Sequence, residues 1–166
     1  PVTDDGLLRS YNYTIAADYN NDGKNDTITN YRAITTDIES AVETAEDGDA
    51  VHLHAGTYEE NITIETPNLA LKGPNVGVSG TDSNRGAEAL VNGKLSIDAE
   101  NVTVDGLAVS PQTTFTSDTS RAAAIFVNAN DTTVRNSIVK GVTGDANGDS
   151  MSAHGIQIFK QSAHPI

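Results

Sequence analysis

The chain has 166 residues, 37% of them hydrophobic, enough for one domain with a real core, and no stretch approaches the roughly 18 consecutive apolar residues of a membrane span. Asp and Glu total 23 against 10 Lys and Arg, a net charge of −13 that argues against nucleic acid or an anionic membrane as partner, since both require cationic surface. There is no cysteine, which excludes disulfides and thiolate metal sites.

The first polar loop, Asp18-Tyr-Asn-Asn-Asp-Gly-Lys-Asn-Asp26, places oxygen donors Asp18, Asn20, Asp22 and Asp26 at positions one, three, five and nine, with Gly23 at six. That spacing resembles the first part of a calcium loop, so Ca2+ is the candidate cofactor. The twelfth position is Thr29 rather than a bidentate acid, and an Asn-Asp-Gly segment also makes a turn between strands. Next, Thr36 to Gly48 reads as a short amphipathic helix. Ile38, Ala41, Val42 and Ala45 share one face, and Gly48 stands where the helix should stop.

Beyond it, one strand pattern recurs at about 30 residues, the mark of a chain wound into a solenoid. The copies are Asn68-Leu-Ala-Leu-Lys-Gly-Pro-Asn-Val76, Asn101-Val-Thr-Val-Asp-Gly-Leu-Ala-Val109 and Asp131-Thr-Thr-Val-Arg-Asn-Ser-Ile-Val139. A second series precedes them: Glu60 to Ile64, Lys94 to Asp98 and Ala124 to Asn128, with a fourth copy from Gly155 to Phe159. Alternation stacks Ile62 and Ile64 on Leu95 and Ile97, on Ile125 and Val127, on Ile156 and Ile158. A second inward stack holds Leu69/Leu71, Val102/Val104 and Thr132/Val134, and the bend after it, at Gly73, Gly106 and Asn136, calls for a left-handed backbone. Outside that second strand, Lys72, Asp105 and Arg135 form an alternating-sign ladder. Three polar insertions, Ser79 to Asn92, Ser110 to Ala122 and Val142 to Ala153, are expected to leave the stack at one edge.

The expected fold is therefore all-β: a parallel β-helix of about three to four coils, with the helix as lid on the first. Residues 1–48 supply the N-terminal strand, the Asx-rich loop and the cap, and residues 49–166 supply the coils. The order helix, Gly48-Asp49, strand, Gly56-Thr-Tyr-Glu-Glu-Asn-Ile-Thr-Ile64, then Leu69-Ala-Leu-Lys-Gly73 resembles the entry of the pectin-lyase-like right-handed parallel β-helices. The resemblance implies that Tyr13 to Asp18 is a small strand before the cap. It is specific for fold and poor at choosing function, because that superfamily holds polysaccharide lyases, hydrolases and esterases as well as noncatalytic surface proteins and viral spikes.

Catalytic members carry their site on the outward residues of one sheet, and here the equivalent positions hold no matching set: Asp98 has only Lys94 on its own strand. The expectation leans away from an enzyme. The alternative is a carbohydrate-active enzyme whose acids lie outside this segment. Phe126 and Phe159 point outward and form a candidate glycan platform or subunit contact, and the loop residues Arg85, Asp118 and Arg121 are further candidates. Asn12, Asn25, Asn61, Asn101 and Asn130 sit in Asn-x-Ser/Thr glycosylation acceptors. His52 and His54 share a strand face, but two histidines without a third ligand make a weak metal site. The expected partners are a glycan or cell-surface ligand and further coils or copies of the chain, a trimer among them. The expected setting is extracellular, on a cell or virion surface. The acidic surface with scarce lysine resembles proteins of salt-loving microbes.

Overall fold

A computed structural model of the chain describes residues 8–9, 14–17, 26–29, 33–111, 121–142 and 152–159. Four short strands come first: β1 (Leu8–Arg9), β2 (Thr14–Ala17), β3 (Asp26–Thr29) and β4 (Ala33–Ile34). β2 pairs with β3 and β1 with β4, both antiparallel. Helix α1 (Ile38–Thr44) follows, shorter than the sequence pattern and ending before Gly48, whose φ of 84° shapes the turn into the coils.

Twelve strands then wind into four coils of three. The first coil holds β5 (Ala50–His52), β6 (Gly56–Tyr58) and β7 (Ile62–Ile64). The second holds β8 (Ala70–Lys72), β9 (Ala89–Val91) and β10 (Leu95–Ile97). In the third are β11 (Thr103–Asp105), β12 (Ala108–Val109) and β13 (Arg121–Val127), and in the fourth β14 (Thr133–Arg135), β15 (Ile138–Val139) and β16 (Ser152–Ile158). Equivalent strands stack into three parallel four-stranded sheets, in the orders β5-β8-β11-β14, β6-β9-β12-β15 and β7-β10-β13-β16. The chain is a parallel β-helix.

In the third sheet the register follows the sequence alignment residue by residue. Leu95 lies between Ile62 and Ile125, Ile97 lies between Ile64 and Val127, and Ile156 and Ile158 continue the two stacks. Ile62, Ile64, Leu95, Ile97 and Ile125 are at most 1% exposed. Each such side chain contributes about 1.5–3 kcal/mol relative to exposure. Leu69, Leu71, Val102 and Val104 form the second stack and are fully buried, with Val134 half-buried in the last coil.

The sheet built from β6, β9, β12 and β15 was not legible as a separate strand series, and it changes two expectations. Val76 aligns with Val109 and Val139 in sequence but is 36% exposed and outside any strand. Val91 takes its place, because β9 pairs Val91 with Tyr58 on one side and Val109 on the other. The insertion therefore ends before Ala89, not at Asn92. The second change concerns the bends. Gly106 and Asn136 have positive φ (78° and 49°), whereas Gly73 does not. Glycine is needed at 73 for closeness instead: a Cβ there would lie 2.3 Å from the Gly106 carbonyl oxygen. A further left-handed position opens each repeat, at Asn68, Asn101 and Asp131 (φ 57°, 56° and 55°), residue types that tolerate this conformation.

The helix closes the first coil through two carboxylates. Glu60, just before β7, accepts from the Ile38 and Glu39 amides (2.9 Å each), and the N-cap Asp37 accepts from Ser40 N at 2.8 Å. Three of the four orphan amides of the helix are thereby satisfied. In return, Glu39 accepts from Thr63 N at 2.9 Å, capping an amide on the outer edge of β7. Ile38 and Val42 are 1% and 3% exposed and join the core of the coils.

Candidate functional site

The outward face of the sheet β7-β10-β13-β16 carries a cluster of polar and aromatic side chains. Strand alternation turns Thr63, Ser96, Phe126 and Gln157 outward in one row, since Ser96 pairs with both Thr63 and Phe126, and Phe126 with Gln157. One step along, Asp98, Asn128 and Phe159 leave the strands through amides bonded to Ile64 O, Ile97 O and Val127 O (2.9, 2.9 and 2.8 Å).

Two groupings occupy this face. Asp98 Oδ1 accepts from Ser96 Oγ at 3.0 Å and from Asn128 Nδ2, while Asn128 Nδ2 also reaches Ser96 Oγ at 3.4 Å. Beside this triad the rings of Phe126 and Phe159 stack with centroids 6.0 Å apart and planes 8° from parallel. The two positions are diagonal neighbours on adjacent strands, within reach of aromatic side chains. Gln157, next to Phe126 in the register, buries an Oε1 that accepts no hydrogen bond. The arrangement offers ring surface, a carboxylate and amide groups, a set suited to holding a polyhydroxylated ligand.

Arg85 is not a surface ligand group. Its side chain is 6% exposed and its guanidinium is taken up by Glu88 (Nε to Oε1, 2.6 Å; Nη2 to Oε2, 3.0 Å) and by the carbonyls of Val78 and Asn136. Asp105, expected in an exposed ladder with Lys72 and Arg135, is 1% exposed. Its Oδ2 accepts from Arg135 Nε at 2.8 Å, and its Oδ1 from Asn136 Nδ2 at 2.9 Å and Gly77 N at 3.3 Å. The segment after Gly73, with Pro74 and Asn75 buried, covers it. Sequence periodicity shows which way Asp105 points and carries no signal for what lies on top.

Of the other candidates, Asp118 lies outside the described residues, and Arg121 opens β13, its backbone paired with Ser152. The calcium candidates Asp18, Asn20 and Asp22 also lie outside them, and Asp26 pairs with Ala17 in the β2–β3 ladder. Among the described residues, no group of three or more His, Asp or Glu is arranged for a metal ion, and no helix is long and apolar enough to cross a membrane. His52 ends β5, and the His54 carbonyl accepts from the Tyr58 hydroxyl at 2.9 Å. Burial, then the nearby Glu60 charge, pushes the Tyr58 hydroxyl above its ordinary pKa.

Acceptors Asn12 and Asn25 fall outside the described residues, whereas Asn61, Asn101 and Asn130 are exposed. Asn101 is embedded in the repeat: it has positive φ, and its Nδ2 donates to Asn68 Oδ1 at 2.6 Å. Asn61 Oδ1 accepts from Lys94 N at 2.9 Å. Comparison with protein-family models, curated proteins and solved structures finds no match.

Proposed function

We propose that this chain is a noncatalytic β-helix module of the pectin-lyase-like kind, working outside the cell on a cell envelope or virion surface. It recognises glycans through the outward face of β10, β13 and β16 and through its corner insertions. The observation that carries this reading is the stacked Phe126–Phe159 pair beside the Ser96–Asp98–Asn128 triad. Ring faces and edges pack against the C–H surface of a sugar, and adjacent amides and a carboxylate bond its hydroxyls.

The commitments of the charged groups support the noncatalytic part. Glu39 and Glu60 close the cap, Arg85 and Glu88 pair within the segment before β9, and Asp105 ties three coils at one corner. A general acid or nucleophile must be able to change partner during a reaction, and these groups hold backbone amides, carbonyls or ions of the scaffold. The net charge of −13 suits an environment rich in salt, and Ca2+ binding at Asp18 to Asp26 belongs to the same proposal. Further copies of the chain are the proposed protein partners, a reading supported by the exposed Ile156 and Ile158 of the fourth coil.

A glycan array probed at low and multimolar salt, with wild type and Phe126→Ala side by side, tests the assignment. Binding by the wild type that falls about tenfold in the variant, ~1.4 kcal/mol, is expected. Release of reducing or unsaturated ends from a bound polysaccharide would instead establish an enzyme and overturn the noncatalytic reading.

A further inference from the structure

Coils of a solenoid ordinarily touch only their neighbours, so stability adds coil by coil and an end coil can open independently. Residues 75–88 depart from that rule. They leave the second coil after β8 and run along the column rather than around it. Over the third coil, Gly77 N donates to Asp105 at 3.3 Å, and the backbone of Asn75 and Val76 lies so near Gly106 that a Cβ there would sit 2.3 Å away. Over the fourth coil, a Cβ on Gly80 would be 2.8 Å from the Ser137 carbonyl oxygen, and Arg85 Nη1 donates to the Asn136 carbonyl at 2.8 Å.

The return of the segment is equally well held. Asn75 is fully buried, accepting from Gly86 N at 2.8 Å and donating to Ala87 O at 3.1 Å, which pins the start of the segment to its end. Arg85 is gripped by Glu88 through two bonds and donates to Val78 O at 2.5 Å. A guanidinium so little exposed is stable only while its partners stay in place; removing one end of such a pair leaves the other charge uncompensated.

We propose that residues 75–88 form a longitudinal clasp, locked by Arg85 and Glu88, that bonds the second coil directly to the fourth and makes coils two to four open as one unit. The contact skips a coil, so the nearest-neighbour description fails at this corner. Opening of the last coil requires either breaking the Arg85–Asn136 contact or lifting the clasp from Asp105. The fourth coil is thereby held from the coil-two side, whatever meets its far edge.

Hydrogen exchange read by mass spectrometry on wild type and Arg85→Met tests the clasp. In the wild type, amides of 103–109 and 133–139 exchange at one common slow rate. In Arg85→Met, exchange across 133–139 rises about tenfold or more while 62–64 in the first coil is unchanged. Gly80→Val, which pushes the clasp off Ser137 without touching the ion pair, gives the same pattern and serves if the first variant does not fold. Wild-type exchange at 133–139 far faster than at 103–109 would overturn the proposal, as would acceleration confined to 78–88 in either variant.

Discussion

The first and fourth coils are built from the same alternating strand and meet different neighbours. At the first coil, Ile62 and Ile64 are buried beneath α1, and the outer edge of β7 gives an amide to Glu39. At the fourth, Ile156 and Ile158 occupy the same two stacks and are 44% and 75% exposed. Identical residue types at equivalent positions thus differ in burial because of what lies on their open side. Inward pointing is a property of the strand, whereas burial belongs to the assembly of coil and cap.

Truncation at the two ends breaks or sharpens this contrast most directly. Ile64→Ala should cost about 2–5 kcal/mol, because a fully enclosed side chain leaves a cavity, and Ile158→Ala should stay within about 0.5 kcal/mol. Urea unfolding of both variants decides it; equal losses would mean that the far end is as enclosed as the near one.

A smaller effect is expected at the cap itself. Glu60→Gln keeps the shape but removes the charge that two helix amides share, and should cost about 1–2 kcal/mol. Circular dichroism and denaturant midpoints report the loss, and an unchanged midpoint would show that the carboxylate pair is not what seats the helix.

Smallest is the N-cap. Hydrogen bonds from Ser40 hold the Asp37 carboxyl below its ordinary value of 3.8. A carboxyl depressed in the folded state adds stability that is fully present above its unfolded pKa and is lost as pH falls through the folded value. Wild type should therefore lose its advantage over Asp37→Ala, about 1 kcal/mol at neutral pH, only below about pH 4. Thermal melts of both proteins between pH 2 and 7 would show the curves converging, and parallel curves would refute the cap's contribution.

Much of the column was legible in the sequence because its signal is local and repeated. The pairs Ile62–Leu95–Ile125–Ile156 follow from period-two alternation and a constant repeat. The sheet containing β9 was hidden for the opposite reason. Its strands are two or three residues long, and in the second coil the intervening segment displaces Ala89–Val91 from the position that Val76 holds in the alignment. On the candidate site, outward Phe126 and Phe159 could be read from alternation, but their stacking could not. Neither could the burial of Asp105 and Arg85, since the first is covered by the segment that crosses from the second coil and the second lies on that segment, a contact no periodicity encodes.

Equivalent strands of the first sheet begin at Ala50, Ala70, Thr103 and Thr133, so successive coils use 20, 33 and 30 residues to climb the same single step. The bare turn of 20 shows what the column requires, and everything longer is carried at the corners. One such corner, residues 75–88, is packed onto the column through Asn75, Gly80 and Arg85, so its added length forms a second layer over the coils rather than a free surface. Residues beyond the minimal twenty can thus serve as bracing as well as display.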